Sequence, residues 1–387
     1  MPDNVTLPIK IQLPKSFYKE EVRSGYLVSA ETKALWAVLL DLLVEYDRVC
    51  RKHNITYYLD GGTLLGAVRH KGFVPWDNDI DVIMTRREYD RLCQVADEEF
   101  AKPYFWQTNY TDLGSARRHG QLRNSLTTAI LTSEMEEGEA TGAFNQGVFI
   151  DIFILDEVPD DEAELRQFRD ELHNMTCVLW ELKTLYNRTR EEWIGCALAQ
   201  EMQRFDSLSG RYNGKGMLRH GNISLNPNCK DTYLFRKEEY GQPVNLDFEN
   251  YSFPCPSKYD EVLTGLYGDW HQFVRGTENH GGVMIDIKVP YTEYLHQGKY
   301  HYDIHPLIDV YTKLYSAWRD CDTMRGWLEQ SKTDNENLQR LQSETLLQND
   351  LLNKTLATVV KENTEIKSSK WYKLYLISKR IRTLFSK

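Results

Sequence analysis

The sequence predicts an α/β or α+β protein, on three observations. From about residue 30 to residue 320, short apolar runs of strand length alternate irregularly with amphipathic stretches of helical length. The composition is globular, with 41% hydrophobic and 27% charged residues, which excludes wholesale disorder. After Trp327 the texture changes to a polar segment without Gly or Pro, so the mixed block has an appendage.

Taken in order, residues 1–29 read as irregular, because Pro2, Pro8 and Pro14 prevent an early helix. Ser29 is an N-cap for a helix carrying Leu35, Leu39, Leu42, Leu43 and Tyr46 at helical spacing, ending near His53. Ile55 to Leu59 reads as a strand, followed by the turn Asp60-Gly61-Gly62-Thr63. Ile80 to Met84 is a second strand, with a helix from Arg87 to Phe100 behind it. Phe105 to Thr108, Gln121 to Leu131 and Gly147 to Leu155 read as strands. Helices are expected from Asp160 to about Tyr186, from Glu191 to Phe205 and from Lys258 to Tyr267.

The chain therefore divides into an irregular segment (1–29), a mixed globular block (30–320), a long helix (321–369) and a basic tail (370–387). In the long helix Leu338, Thr345, Leu352, Val359 and Ile366 recur every seventh residue, whereas Gln348, Thr355 and Glu362 spoil the partner seam. Weak homo-oligomerisation through a coiled coil is one reading, a lone helix the other. Trp371, Leu374, Ile377, Ile381 and Phe385 form an apolar stripe, with Lys370, Lys373 and Arg380 off it. That pattern suits a helix lying on an anionic membrane surface, or one packed back on the acidic body.

A net charge of −10 argues against a nucleic-acid partner. No apolar run reaches the ~18 residues of a membrane span. Met1 to Lys15 lacks the apolar core of a signal peptide, so a cytoplasmic location is expected. The seven cysteines are scattered and form no C-x-x-C pair, as in reduced thiols.

The chemistry concentrates between Tyr58 and Val82. Asp79, Ile80, Asp81 and Val82 alternate acid and apolar, so in a strand both carboxylates share one face. Two adjacent carboxylates repel unless a cation neutralises them. Hard oxygen ligands without nearby His or Cys favour Mg²⁺ or Mn²⁺, which keep positions open for substrate phosphate. Gly61, Gly62 and Gly66 let backbone N–H groups approach an anion, and a helix starting near Thr63 aims its positive end there. Arg69, His70 and Lys71 add positive charge. An isolated Asp-x-Asp is usually a solvated turn; both signals within 25 residues favour a bound diphosphate. Pro75 and Trp76 read as packing residues that order the loop before the acids.

The stretch Asp60-Gly-Gly-Thr-Leu-Leu-Gly-Ala-Val-Arg-His-Lys-Gly-Phe-Val-Pro-Trp-Asp-Asn-Asp-Ile-Asp81 resembles the signature of the LicD/fukutin family, within the nucleotidyltransferase-fold superfamily. Asn78 stands where the family pattern has Asp. Gly147 to Asp156 and Phe253 to Asp269 extend the resemblance, which covers roughly residues 30–285.

The resemblance implies a nucleotidyltransferase-like mixed sheet flanked by helices. It also implies transfer of a phosphorylated alcohol, usually phosphocholine, from a CDP-alcohol donor to a sugar hydroxyl of a cell-surface glycan or its lipid-linked precursor, releasing CMP. Asp79, Asp81 and Asp151 would hold the metal, Asp151 completing its shell or taking the acceptor proton. Asp156 is the reserve third carboxylate, or a cap for the next helix. Gly61, Gly62, Thr63, Arg69 and Arg123 would bind the donor, although either arginine also reads as a surface ion-pair residue. Tyr267-Gly268-Asp269 would help build the donor pocket, Gly268 otherwise being a helix C-cap. His280-Gly281-Gly282 reads as a mobile loop or a plain turn. A metal-dependent glycosyltransferase and a non-catalytic glycan-assembly scaffold are the alternatives. A lipid-linked acceptor would place the protein on the inner face of the cell membrane.

Overall fold

In a computed structural model of the chain, which describes residues 7–131, 134, 144–224, 233–274, 282–296 and 355, a hairpin of β1 (Glu21–Arg23) and β2 (Tyr26–Val28) leads into α1 (Ala30–Lys52). The hairpin differs from the irregular segment expected. Its signal is the two-residue turn Ser24-Gly25, both at positive φ, the geometry that matches the twist of paired strands. Ser29 caps α1, its hydroxyl accepting from the Thr32 N–H. Trp36, Leu39, Leu40, Leu43 and Tyr46 then enter the core, as the helical spacing requires.

The chain continues through β3 (Tyr58–Leu59), α2 (Gly61–His70), β4 (Asp81–Thr85), α3 (Arg86–Glu99), β5 (Tyr104–Gln107), β6 (Gly120–Asn124), β7 (Thr128–Leu131) and β8 (Val148–Val158). A helical hairpin follows, α4 (Glu162–Thr189) and α5 (Glu192–Ser209). The remaining elements are β9 (Arg219–Gly221), β10 (Leu234–Arg236), α6 (Lys237–Tyr240), β11 (Val244–Phe248), β12 (Tyr251–Cys255), α7 (Tyr259–Tyr267), β13 (Val283–Asp286) and α8 (Tyr291–His296).

The main sheet is mixed and flanked by helices, as expected of an α/β (α+β) protein. Its axis is β8, which pairs parallel with β4, antiparallel with β6 and, at its end, antiparallel with β9. β3 extends β4, β5 extends β6 and β10 extends β9. Along β8, Ile150, Ile152 and Ile154 are buried while Phe149, Asp151 and Phe153 are partly exposed, the alternation of a strand with one face to the core. A second core gathers Leu165, Phe168, Leu172, Leu198, Met202 and Phe205 between α4 and α5.

Asp156 belongs to the frame and not to the site. It is fully buried, and Arg86 grips it with Nε and Nη2 at 2.9 and 2.8 Å while Asn213 Nδ2 donates at 2.7 Å. The cap of α4 is Asp161, which accepts from the Ala163 and Glu164 N–H groups. Both expectations for Asp156 are thereby corrected. Cys50, Cys93, Cys177, Cys196 and Cys255 are thiols outside any disulfide. Among the described residues no helix is long and apolar enough to cross a membrane. The long helix and basic tail expected over 321–387 lie outside the described residues, Thr355 excepted, as do Cys229, Cys321, His280 and Gly281.

Candidate active site

Strand register lines up the acids. The Asp60 N–H donates to the Asp81 carbonyl at 3.0 Å, so the end of β3 sits beside the start of β4. Across the parallel pair Asp81 stands opposite Asp151, whose N–H donates to the Ile80 carbonyl at 2.9 Å. Side chains in register share a face of the pleat, so Asp81 and Asp151 are neighbours. Asp79 and Asp81 are partly exposed while Ile80 and Val82 are buried, which is the parity expected.

The start of α2 covers the same spot. Gly61 is its first residue, at φ 52°, a left-handed backbone that favours glycine. A Cβ on Gly61 would lie 3.2 Å from Asp81 Oδ2 and 3.8 Å from the Tyr267 hydroxyl. A Cβ on Gly62 would lie 2.5 Å from Asp77 Oδ2, so only glycine lets that carboxyl approach. Thr63 Oγ1 accepts from the Asp81 N–H at 2.9 Å and fixes the helix start to the acid strand. Asp60 does not cap the helix, and its buried Oδ1 has no hydrogen-bond partner.

The electrostatics is asymmetric. Burial, followed by the charges of Asp79, Asp151, Asp60 and Asp77, holds the Asp81 carboxyl well above the usual range. Burial and then Asp79 push Asp77 up to about 9, and burial raises Asp60 to about 6. Asp151 goes the other way. Burial alone would raise it, but His119 Nε2 at 2.8 Å and Gln121 Nε2 at 2.6 Å both hydrogen-bond its Oδ1, and its pKa is lowered. An ionised carboxylate only accepts, so His119 carries its proton on Nε2.

Raised carboxyls crowded at a helix N-terminus are a set whose mutual repulsion a hard divalent cation would relieve. Among the described residues no three His, Cys, Asp or Glu side chains form a ready-made metal cage. Mg²⁺ seldom uses one: it takes one or two carboxylates and completes its shell with water and substrate phosphate. The adjacent Asp81 and Asp151 have that character.

The structure thus brings together Gly61, Gly62, Thr63, Asp79, Asp81 and Asp151, and adds Tyr267. Two expected donor-binding residues are engaged by the protein itself, although the Arg69 charge still reaches Tyr267. Arg69 is on the last turn of α2, roughly 12 Å along the helix from Gly61. Its guanidinium donates to the Trp270 carbonyl at 3.2 Å and lies 4.4 Å from the Phe273 ring centroid. Arg123 is fully buried, donating to Gln107 Oε1 (2.5 Å), Gly147 O (2.7 Å) and Gln121 Oε1 (2.6 Å), so it meets no ligand. It holds Gln121, which holds Asp151. Gly268, at φ 70°, ends α7 with its N–H on the Thr264 carbonyl, as a C-cap does.

Asp60, Asp77, His119 and Gln121 escaped the sequence-based choice. Asp77 had a signal, since it precedes Asp79 by two residues and shares its parity. Gln121 shows only in strand register, where it stands opposite Asp151.

Residues 54–140 match the family model described as LicD/FKTN/FKRP, nucleotidyltransferase domain. That segment carries Asp60, Asp77, Asp79 and Asp81, and Asp151 lies beyond it. The lipopolysaccharide cholinephosphotransferase LicD of Haemophilus influenzae is 28% identical over 242 residues, covering 60% of this chain and 88% of that protein. An uncharacterized protein of Rickettsia prowazekii is 37% identical over 73 residues, 19% of this chain and 25% of its own. One of Rickettsia typhi is 45% identical over 81 residues, 21% of this chain and 24% of its own.

Proposed function

We propose that the chain is a LicD-like transferase that moves phosphocholine from a CDP-activated donor to a sugar hydroxyl of a cell-surface glycan or its lipid-linked precursor, releasing CMP; the match of residues 54–140 to the family model and the likeness to the Haemophilus protein support this reading. The observation that carries this is the register pair Asp81 and Asp151 beside the glycine start of α2, where a phosphate and a cation have adjacent places. The Haemophilus relative, matched over most of its length, supports choline as the alcohol.

In this reading Asp81 and Asp151, with Asp79 at the edge, hold Mg²⁺ or Mn²⁺. When bound, such an ion would supply positive charge against the donor phosphates and the departing nucleotide. The N-terminus of α2 supplies backbone N–H groups and the positive end of its dipole to the same phosphates. The Tyr267 hydroxyl, 3.8 Å from the place of a Cβ on Gly61, is a further donor at that position. The acceptor oxygen attacks the β-phosphorus in line and its proton passes to water. The bond from that phosphorus to the bridging oxygen breaks, and CMP leaves with the electron pair. Asp151 serves as a ligand and not as the base that takes the acceptor proton, because its lowered pKa and doubly bonded Oδ1 make it a poor proton acceptor. The basic tail, 370–387, would bring the enzyme to a lipid-linked acceptor on an anionic leaflet.

The test is CMP release by the full chain from CDP-choline with Mg²⁺, alongside a panel of nucleotide sugars. Release from CDP-choline that disappears in Asp81→Asn supports the proposal. Turnover of a nucleotide sugar instead would return the glycosyltransferase alternative, and no turnover of any donor would return the scaffold.

A further inference from the structure

The loop that carries the acids, between α2 and β4, is held by residues far from it in sequence. At its start the Glu249 N–H, in the two-residue turn between β11 and β12, donates to the Lys71 carbonyl at 2.7 Å. Glu249 Oε1 accepts from the Phe73 N–H at 3.1 Å. Arg23 of β1 completes the bracket: its Nη1 donates to the Phe73 carbonyl at 2.9 Å and to Glu249 Oε1 at 2.7 Å. One ion pair thus takes both backbone polar groups of Phe73. At the far end of the loop the Trp36 indole N–H donates to the Asp77 carbonyl at 2.8 Å. The Trp36 ring links the two ends, stacked on Phe73 at 4.6 Å, with the Arg23 guanidinium 5.1 Å from its centroid.

Two further features belong to this bracket. Glu249 has φ 52°, a left-handed backbone that glycine or asparagine more often takes in such a turn. That outlier is accounted for by the carboxylate it presents to the loop. Gly72 makes the room, since a Cβ on it would lie 2.1 Å from Glu249 Oε1. The pair is also sheltered, the Glu249 side chain being 7% exposed and that of Arg23 18%, so salt screens it little.

We infer that the Glu249–Arg23 pair positions the acid loop, so that the β11–β12 turn sets where Asp77 and Asp79 stand against the start of α2. The structural part of the inference rests on these hydrogen bonds alone, and its kinetic part on the transferase reading above. Asp81 and Asp151 are fixed by strand register, and Gly61 and Gly62 by α2. Asp77 and Asp79 precede β4, and their carboxyls follow the loop. Loosening the bracket spreads the places these two take while the phosphate position keeps its shape. In the transferase that means a weaker hold on the divalent cation and an unchanged hold on the donor. Glu249 and Arg23 act through the loop backbone, as positioning residues.

The test uses the full chain with Glu249→Ala, Glu249→Gln and Gly72→Ala. Gly72→Ala displaces the carboxylate without altering it, so it should reproduce Glu249→Ala. Amide hydrogen exchange is read by mass spectrometry without metal or nucleotide. Peptides covering 71–79 should exchange tenfold faster or more in both alanine variants, with peptides of α4 and α5 unchanged. Glu249→Gln keeps an acceptor for the Phe73 N–H and should fall between. In CMP release the Mg²⁺ concentration for half-maximal rate should rise tenfold or more, while the donor KM at saturating Mg²⁺ stays within twofold. A merely structural role would raise exchange across the whole chain, and no role would leave 71–79 unchanged; either result overturns the inference. So does an unchanged Mg²⁺ requirement, or a donor KM that moves in its place. If Glu249→Ala melts too low to assay, Glu249→Gln and Gly72→Ala decide by the same readings. If wild type releases no CMP from any CDP-alcohol while the 71–79 peptides respond as stated, the positioning of the loop stands and the transferase reading falls.

Discussion

Replacing Arg123 by methionine should damage the fold of the site without removing a substrate contact. The guanidinium is fully buried and serves three acceptors, Gln107 Oε1, Gly147 O and Gln121 Oε1. Leaving three buried acceptors unpaired costs roughly 3–9 kcal/mol in total, at ~1–3 kcal/mol each. Part of that is offset, because the buried guanidinium is itself strained: burial, and then the charge of Arg117, push its pKa down to about 9. Removing a charge held under such strain returns about 5 kcal/mol, leaving a net loss of at most roughly 4 kcal/mol. For a domain of this size that is a melting temperature lower by up to roughly 10 °C. Gln121 loses its anchor and Asp151 one of its two hydrogen-bond donors, so kcat for CMP release should fall while the donor KM hardly moves. Thermal melts and initial-rate kinetics on the same preparation decide it. An unchanged melting temperature with a tenfold higher donor KM would refute the reasoning and restore Arg123 as a phosphate clamp.

Other perturbations separate the site from its frame. Asp81→Asn removes one of several crowded carboxyls, so the metal-free protein should melt no lower than wild type while CMP release is lost; turnover retained at limiting Mg²⁺ would show that Asp81 holds no ion. Asp156→Ala leaves Arg86 buried without its carboxylate and should cost about 3–5 kcal/mol in denaturant unfolding; a loss below 1 kcal/mol would contradict the buried pair. His220 is buried and its pKa is pushed from 6.5 to about 4 by burial and then by Lys237, so it stays neutral while the unfolded chain takes up a proton. Stability should therefore fall by up to about 3 kcal/mol as pH drops from 6.5 to 4. In His220→Phe that part of the acid limb should flatten; melts across the pH range that superimpose on wild type would assign it to other groups.

What could be read beforehand and what could not divides along sequence distance. The stretch from Asp60 to Asp81 was legible because its pattern is local: strand parity alone puts Asp79 and Asp81 on one face, and Gly61-Gly62 marks a helix start, which lies beside the acids. The family resemblance implied a third carboxylate on a later strand, and the apolar flanks Ile150 and Ile152 singled out Asp151 by fixing its face of β8. Arg123 was misplaced because parity says which face a residue takes but not what covers that face. Gln107 and Gly147, which enclose it, are remote in sequence. Asp156 failed for the same reason, its partner Arg86 lying seventy residues away. The hairpin at Ser24-Gly25 was hidden behind three prolines that forbid a helix but not a short strand pair.

On the proposed reading of Asp151 as a metal ligand, the two hydrogen bonds on its Oδ1 bear on which ion the site would admit. Both donors lie on or beside β6 and both take the same oxygen, so neither engages Oδ2. A carboxylate reduced to a single oxygen cannot chelate. Large cations such as Ca²⁺ fill their loose shells by taking both oxygens of a carboxylate, whereas a small octahedral ion is content with one from each neighbour. Ion size would thus be filtered by a strand that never touches the ion, through the choice of which lone pairs it leaves exposed.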